Sequence, residues 1–267
     1  MSVAGPDILA RITAAVRQRL AEKPPEPDLE ARARVATSAR RRAGGRSLRA
    51  ALVIPGVRVI AECKHRSPSK GWLREPFDPI ALARAYEAGG AAAISVVTEP
   101  EFFAGEAEWV PAIRREVGLP VLQKDFLVAP RQVLDAAVLG ADAVLLIART
   151  LPGPALGEML ALAGELSLEA LVEVHEAADL ERVLAEGAPL VGINARDLAS
   201  FEVDLERAAR IAAGVPTDRV AVLESGIGGP ADVARMRGLG FRSFLIGEYL
   251  LRSDDPRAAL AELLACR

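Results

Sequence analysis

One feature constrains this chain more than any other: from residue 57 onward, two textures alternate eight times. Short apolar or β-branched runs stand at 57–63 (VRVIAEC), 92–97 (AAISVV), 119–124 (LPVLQK), 142–148 (DAVLLIA), 169–174 (EALVEV), 189–194 (PLVGIN), 219–224 (RVAVLE) and 242–247 (RSFLIG). Most are unbroken, as expected of strands buried on both faces. Between them lie stretches of helical spacing such as PIALARAYEAGG, PRQVLDAAVLGAD and PADVARMRGLG. Several open after Pro or Asp and close at Gly, the chemistry of helix starts and stops. Strand–helix units in series force parallel strands, and eight of them close a barrel. The rival, an open doubly wound sheet, lacks the G-x-G-x-x-G that would follow its first strand. The expected fold is therefore α/β: a single (β/α)8 barrel over 57–267, preceded by a helical extension over 1–50.

In the extension, PDILARITAAVRQRLAE carries an apolar stripe at Ile8, Ile12, Ala15 and Val16. KPPEP interrupts it, and DLEARARVATSARRR resumes a helical pattern up to Gly44. Arg40, Arg41 and Arg42 read as a solvated helix end, where the dipole favours cations. The extension could cap the barrel floor or fold over its mouth, and the sequence does not choose. Composition removes other classes. A net charge of -3 with mixed signs argues against a nucleic-acid binder. No apolar run reaches the roughly 18 residues of a membrane span. The opening MSVAGPDILAR lacks the pattern of a secretory signal. Two distant cysteines, Cys63 and Cys266, exclude a disulfide framework and suit the cytoplasm. With His65 and His175 they make no metal-ligand spacing, so no metal is expected.

In such a barrel, chemistry lies where strands hand over to the loops at their C-terminal ends. Strand 1 ends in Glu62-Cys63-Lys64, and the period of two puts Glu62 and Lys64 on one side. Strand 3 ends in Lys124-Asp125-Phe126, and strand 5 in Glu173 with His175 beyond. Strand 6 ends at Asn194 with Arg196 two further on, strand 7 at Glu224-Ser225-Gly226, and strand 8 at Gly247-Glu248. One charged strand end merely meets water. Six strands doing so at one mouth would gather carboxylates, lysines and an arginine, a costly cluster unless it binds charge and moves protons. A lysine among apolar strand ends would be desolvated toward a general-acid pKa, whereas a lysine beside glutamates would be held cationic. Gly226 and Gly247 stand where backbone N–H groups can approach an anion, in the loops that commonly hold phosphate in this fold. Ser67, in the RSPSKG loop after strand 1, could add a hydroxyl. Cys63 should face away from the mouth, His175 should sit at the rim, Asp125 should orient its neighbours, and Trp72 and Trp109 should pack.

The segments AECKHRSPSKG, ISVVTEPEFFAG, PVLQKDFLV, GADAVLLIA, LVEVHE, VGINARDL, LESGI and LIGEYL resemble, in order and spacing, those of the indole-3-glycerol-phosphate synthases of tryptophan biosynthesis. The resemblance spans nearly the whole chain. It implies a barrel with helices before strand 1 that partly cover the mouth, and neither cofactor nor metal. It also implies closure of 1-(2-carboxyphenylamino)-1-deoxyribulose 5-phosphate to indole-3-glycerol phosphate, with loss of carbon dioxide and water. Carried over residue by residue, Lys124 is the general acid for condensation. Lys64 holds the substrate carboxylate or assists dehydration, Glu173 is the acid–base partner of the later steps, and Glu62 orients the lysines. Asn194 and Ser225 hydrogen-bond the substrate, Arg196 lies near its carboxylate, and Glu224 supports the network. Phe126 packs on the anthranilate ring, while Ser67, Gly226 and Gly247 serve the phosphate or the first loop. The implied partner is a phosphorylated small molecule, with no nucleic acid and no membrane, and the chain would act as a monomer or a weak dimer.

The chain departs from the family at Gln123, where many relatives carry Arg or Cys, and at Tyr249, where a smaller residue is common. A sister barrel, phosphoribosylanthranilate isomerase, needs a Cys/Asp pair, and Asn194 stands where its Asp would be. A non-catalytic phosphate-binding homologue should lack Lys124 or Glu173. A specialised paralogue making a modified indole stays open.

Overall fold

The structure, a computed structural model, describes residues 8–24, 26–197 and 200–266. The first seven residues, where no secretory signal is expected, lie outside it. Eight parallel strands close a barrel: β1 (Arg58–Cys63), β2 (Ala93–Val97), β3 (Val121–Lys124), β4 (Ala143–Ile147), β5 (Glu169–Val174), β6 (Leu190–Asn194), β7 (Val220–Glu224) and β8 (Ser243–Ile246). Each pairs with its sequence neighbours, and β1 closes the ring against β8 with Ala61 opposite Ile246. The sequence-derived runs overshoot these strands by at most two residues at either end. The connecting helices begin and end as their punctuation requires. Asp78 accepts from the backbone N–H groups of Ile80 and Ala81 ahead of Pro79–Ala88, and Asp204 and Asp255 cap later helices. Gly140 ends Pro130–Leu139 at φ 83°, a conformation that costs glycine nothing. Among the described residues no helix is long and apolar enough to cross a membrane.

Alternation along each strand divides the core in two. Outward-facing residues such as Val59, Val96, Val144 and Val172 bury against the helices. Inward-facing residues fill the barrel in layers, with Ile60, Leu122, Leu171 and Val222 from the odd strands forming one of them. That apolar floor carries the polar layer above it.

The extension does both things that the sequence left open. Helix α3 (Leu48–Leu52) closes the bottom: Leu48 and Leu52 join the inner cluster, while Ser47 Oγ and the Arg49 N–H donate to the Glu169 carboxylate at 2.8 and 2.9 Å. Helix α1 (Ile8–Glu22) lies over the mouth, and its Leu9 joins the same inner cluster from above. Arg19 ties it down by pairing with the fully buried Glu99 at 2.9 Å, and Arg131 donates to the carbonyls of Leu20 and Lys23. Helix α2 (Leu29–Arg42) runs between these two attachments along Pro130–Leu139. Here the reading of Arg40 as a solvated residue is corrected. Arg40 is buried, and its guanidinium donates to the carbonyls of Ala141 and Leu166. These two carbonyls precede β4 and β5, so Arg40 fastens the extension to the base of the barrel. Arg41 and Arg42 match the solvated reading: both are exposed, and Arg41 donates at the surface to Ser167 Oγ and the Glu165 carbonyl.

Candidate active site

The topmost inward positions of the four odd strands are Glu62, Lys124, Glu173 and Glu224. Each stands two residues beyond an apolar residue of the layer beneath, so strand periodicity alone delivers three carboxyl groups and one ammonium to a single level. The three glutamates are buried. Lys124 Nζ lies 3.6 Å from Glu62 Oε1 and 3.6 Å from Glu224 Oε2. Lys64, two residues past Glu62, returns to pair with Glu62 Oε2. Glu62 therefore bridges both lysines. Two glycines, Gly192 on β6 and Gly247 just past β8, make room for these carboxylates: a Cβ at Gly247 would overlap Glu62 Oε2, and one at Gly192 would overlap Glu224 Oε1, each at under 3.0 Å.

Burial and charge oppose one another here, and magnitudes decide the outcome. Burial pushes Lys124 toward the neutral amine. Each carboxylate at 3.6 Å favours the cation by about 4–5 kcal/mol at an effective dielectric constant near 20. The carboxylates win, and Lys124 is held above its ordinary pKa by Glu62, Glu224 and Glu173. Burial raises Glu62, but Lys64 and Lys124 outweigh it and leave the carboxyl below its ordinary pKa. Glu224 has only Lys124 on its side. Burial, then Glu173 beside it, lift its pKa from 4.5 to about 8. Both Glu224 carboxyl oxygens are buried and make no hydrogen bond among the described residues, with Lys124 Nζ at 3.6 Å as the facing cation.

Above this layer lies a cavity of about 680 Å³, and all twelve residues singled out in the sequence line it. Besides the four of the polar layer, Lys64 and Ser67 enter from the loop after β1, Phe126 from β3, Asn194 and Arg196 from β6, Ser225 and Gly226 from β7, and Gly247 from β8. Asn194 Oδ1 accepts the Arg196 N–H at 3.0 Å, which commits the amide oxygen to the loop that follows β6. Arg196 is partly committed, donating to the Phe201 carbonyl at 3.0 Å. Ser225 and Gly226 take consecutive left-handed conformations, φ 67° and 83°, strained for the serine and free for the glycine. Phe126 meets Phe103 at 5.8 Å, and with Ile8, Leu9 and Ile12 of α1 the pair forms an apolar wall.

Asp125 borders the cavity, whereas Cys63, Trp72 and His175 do not line it. Cys63 is buried facing Pro79, and burial pushes its thiol far above the ordinary range, as a structural residue requires. Asp125 accepts from Thr98 Oγ1 and from the Phe126 N–H at 2.7 Å, which orients the phenyl group. Trp72 stays half exposed, in a small hairpin (Arg66–Ser67 with Gly71–Trp72) that the sequence did not announce, where it meets His65. His175 is not a rim residue: it is buried, with Nε2 3.2 Å from Glu173 Oε1, and burial lowers its pKa. Phe103, Gly192 and the lid contact Arg19–Glu99 were missed. Phe103 lies in the quoted EPEFFAG, but nothing local marks which phenylalanine turns inward.

A closed parallel barrel with buried glutamates and partly buried lysines under a roofed, partly apolar cavity has the build of a (β/α)8-barrel enzyme. Solved structures of low identity share that fold. The crystal structure of 3-hexulose-6-phosphate synthase aligns with a TM-score of 0.62 at 17% identity, covering 79% of this chain and 99% of that one. Thiamine phosphate pyrophosphorylase from Pyrococcus furiosus aligns at 0.59 and 18%, covering 81% and 96%. Sequence goes further. The family model described as Indole-3-glycerol phosphate synthase matches residues 9–263. The indole-3-glycerol phosphate synthase of Rhodopirellula baltica is 50% identical over 209 residues, 78% of this chain and 81% of that protein. That of Aromatoleum aromaticum is 45% identical over 258 residues, 96% and 98% of the two chains. The chain belongs to the indole-3-glycerol phosphate synthase family, carboxy-lyases of tryptophan biosynthesis that act on a phosphorylated small molecule.

Proposed function

We propose that this chain closes the pyrrole ring of 1-(2-carboxyphenylamino)-1-deoxyribulose 5-phosphate and releases indole-3-glycerol phosphate, carbon dioxide and water, with the polar layer of the barrel as its proton machinery. The observation that carries this reading is the placement of Lys124 between Glu62 and Glu224, 3.6 Å from each, beneath the cavity. A lysine kept cationic there donates to the ribulose carbonyl oxygen as the aromatic carbon attacks C2′. Loss of carbon dioxide then restores the aromatic ring. Glu173, beside Glu224, takes and returns the proton that lets the new hydroxyl leave as water. Lys64 holds the substrate carboxylate and Glu62 fixes both lysines. Asn194 and Ser225 bind the substrate, and Arg196 lies toward its carboxylate. The wall containing Phe126 receives the anthranilate ring. Ser67, Gly226 and Gly247 receive the phosphate from the loops around the mouth. About 680 Å³ suits a substrate of this size.

The same reading places the chain in the cytoplasm, as a monomer or a weak dimer. The test mixes purified protein with the carboxyphenylamino-deoxyribulose phosphate, without added metal or cofactor, and follows indole fluorescence and product mass. Wild type should give indole-3-glycerol phosphate, and Lys124→Ala should lose at least about 10²-fold in kcat while keeping its circular dichroism. Near-normal turnover in Lys124→Ala would sink the assignment.

A further inference from the structure

In the barrel layer just beneath the polar one, the inward positions of the even strands are Ser95, Leu145, Gly192 and Leu245, so one place in four is empty. Glycine inside a strand costs about 0.5–1 kcal/mol relative to alanine and needs a reason. The backbone gives none, because Gly192 is absent from the residues with positive φ. Packing gives one neighbour only. A Cβ built on Gly192 would overlap Glu224 Oε1 and stand 3.3 Å from Glu224 Cδ, whereas the next atom, Leu171 Cδ1, is at an ordinary 3.5 Å. Register sets the recess between the two carboxyl groups, since Gly192 is opposite Glu173 on β5 and Asn194 is opposite Glu224 on β7.

We propose that Gly192 is a positioning residue of the acid–base cluster, its missing side chain being the recess that lets the Glu224 carboxyl group sink into the barrel beside Glu173. This rests on the polar layer being the proton machinery proposed above. The consequence is chemical. A sunken carboxyl group is dry and lies near Glu173 and Glu62, with Lys124 as the cation facing it, and in that place it holds a proton near neutral pH. A methyl group at 192 displaces the flexible end of Glu224 upward, toward the cavity, without touching the fold. Gly192 thus acts through Glu224 and need not meet the substrate.

The experiment compares wild type, Gly192→Ala, Glu224→Asp and the double variant. The first readout needs no substrate: an infrared pH titration of the protonated carboxyl band, assigned to Glu224 by its loss in Glu224→Gln. In Gly192→Ala that band should titrate at lower pH, with the melting temperature nearly unchanged. In turnover, Gly192→Ala should lose on the order of 10²-fold in kcat, as for a displacement of about 1 Å, with little change in KM. Adding the same change to Glu224→Asp, whose shorter side chain withdraws from the new methyl group, should cost severalfold at most. An unmoved titration with normal kcat in Gly192→Ala, or an equal loss in both backgrounds, overturns the proposal. Should Gly192→Ala fail to fold, folding of the double variant supports it, and failure of both overturns it. Absence of ring closure in wild type would sink the proposed function, while the infrared comparison still decides the role of Gly192.

Discussion

Replacing Glu224 with glutamine should stabilise the protein, and increasingly so as pH rises. The folded chain lifts the Glu224 pKa from 4.5 to about 8, because the carboxylate is buried and faces Glu173. Each unit of difference between folded and unfolded states corresponds to about 1.4 kcal/mol. The full effect is therefore about 4–5 kcal/mol. The sign follows from proton counting. Below the unfolded value both states hold the proton and Glu224 costs nothing. Between the two values the folded state binds more protons, so stability falls as pH rises, and above about 8 the whole cost is present. Glutamine keeps the shape and never ionises. In melts at constant ionic strength, wild type and Glu224→Gln should nearly coincide at about pH 4, below the unfolded value. By pH 9 the variant should melt about 10 °C higher, given roughly 2–4 °C per kcal/mol for a chain of this size. Its turnover should fall meanwhile, the usual exchange between stability and a strained site. Parallel pH curves would refute the reasoning. A variant that loses ground toward alkaline pH would show instead that Glu224 is ionised and stabilised by Lys124.

Other outcomes follow from single contacts. Glu173→Gln should reduce kcat by about 10²–10⁴-fold in steady-state turnover, the range for losing an acid–base group. Gly226→Ala places a Cβ 2.5 Å from Val203 Cγ1 and 2.9 Å from Leu205 Cδ2 at φ 83°. It should raise KM about tenfold by moving the loop proposed to receive the phosphate, a change of about 1.4 kcal/mol. Arg40→Met removes two charge-assisted bonds to the Ala141 and Leu166 carbonyls and should cost about 2 kcal/mol in denaturant unfolding, with kcat/KM unchanged.

The barrel was legible because strands covered on both faces announce themselves as apolar runs, and because a period of two fixes which residue of each run ends facing inward. Glu62, Lys124, Glu173 and Glu224 could be placed at one mouth from those two facts. The residues that stayed hidden share a property: their roles are set by partners distant in sequence. Arg40 looks like any basic helix end until the carbonyls of Ala141 and Leu166, more than a hundred residues away, come within its reach. His175 lies one residue past β5 and reads as exposed, yet it is buried with Nε2 3.2 Å from Glu173 Oε1. Gly192, inside VGIN, looks like a weak spot in a strand. Its meaning depends on the Glu224 side chain filling the space it leaves, thirty-two residues later and on the next strand. Local pattern can show where a barrel sets its functional groups. It cannot show the recesses that fix their depth, because a recess is a relation between strands, and that depth decides which carboxyl group keeps the proton.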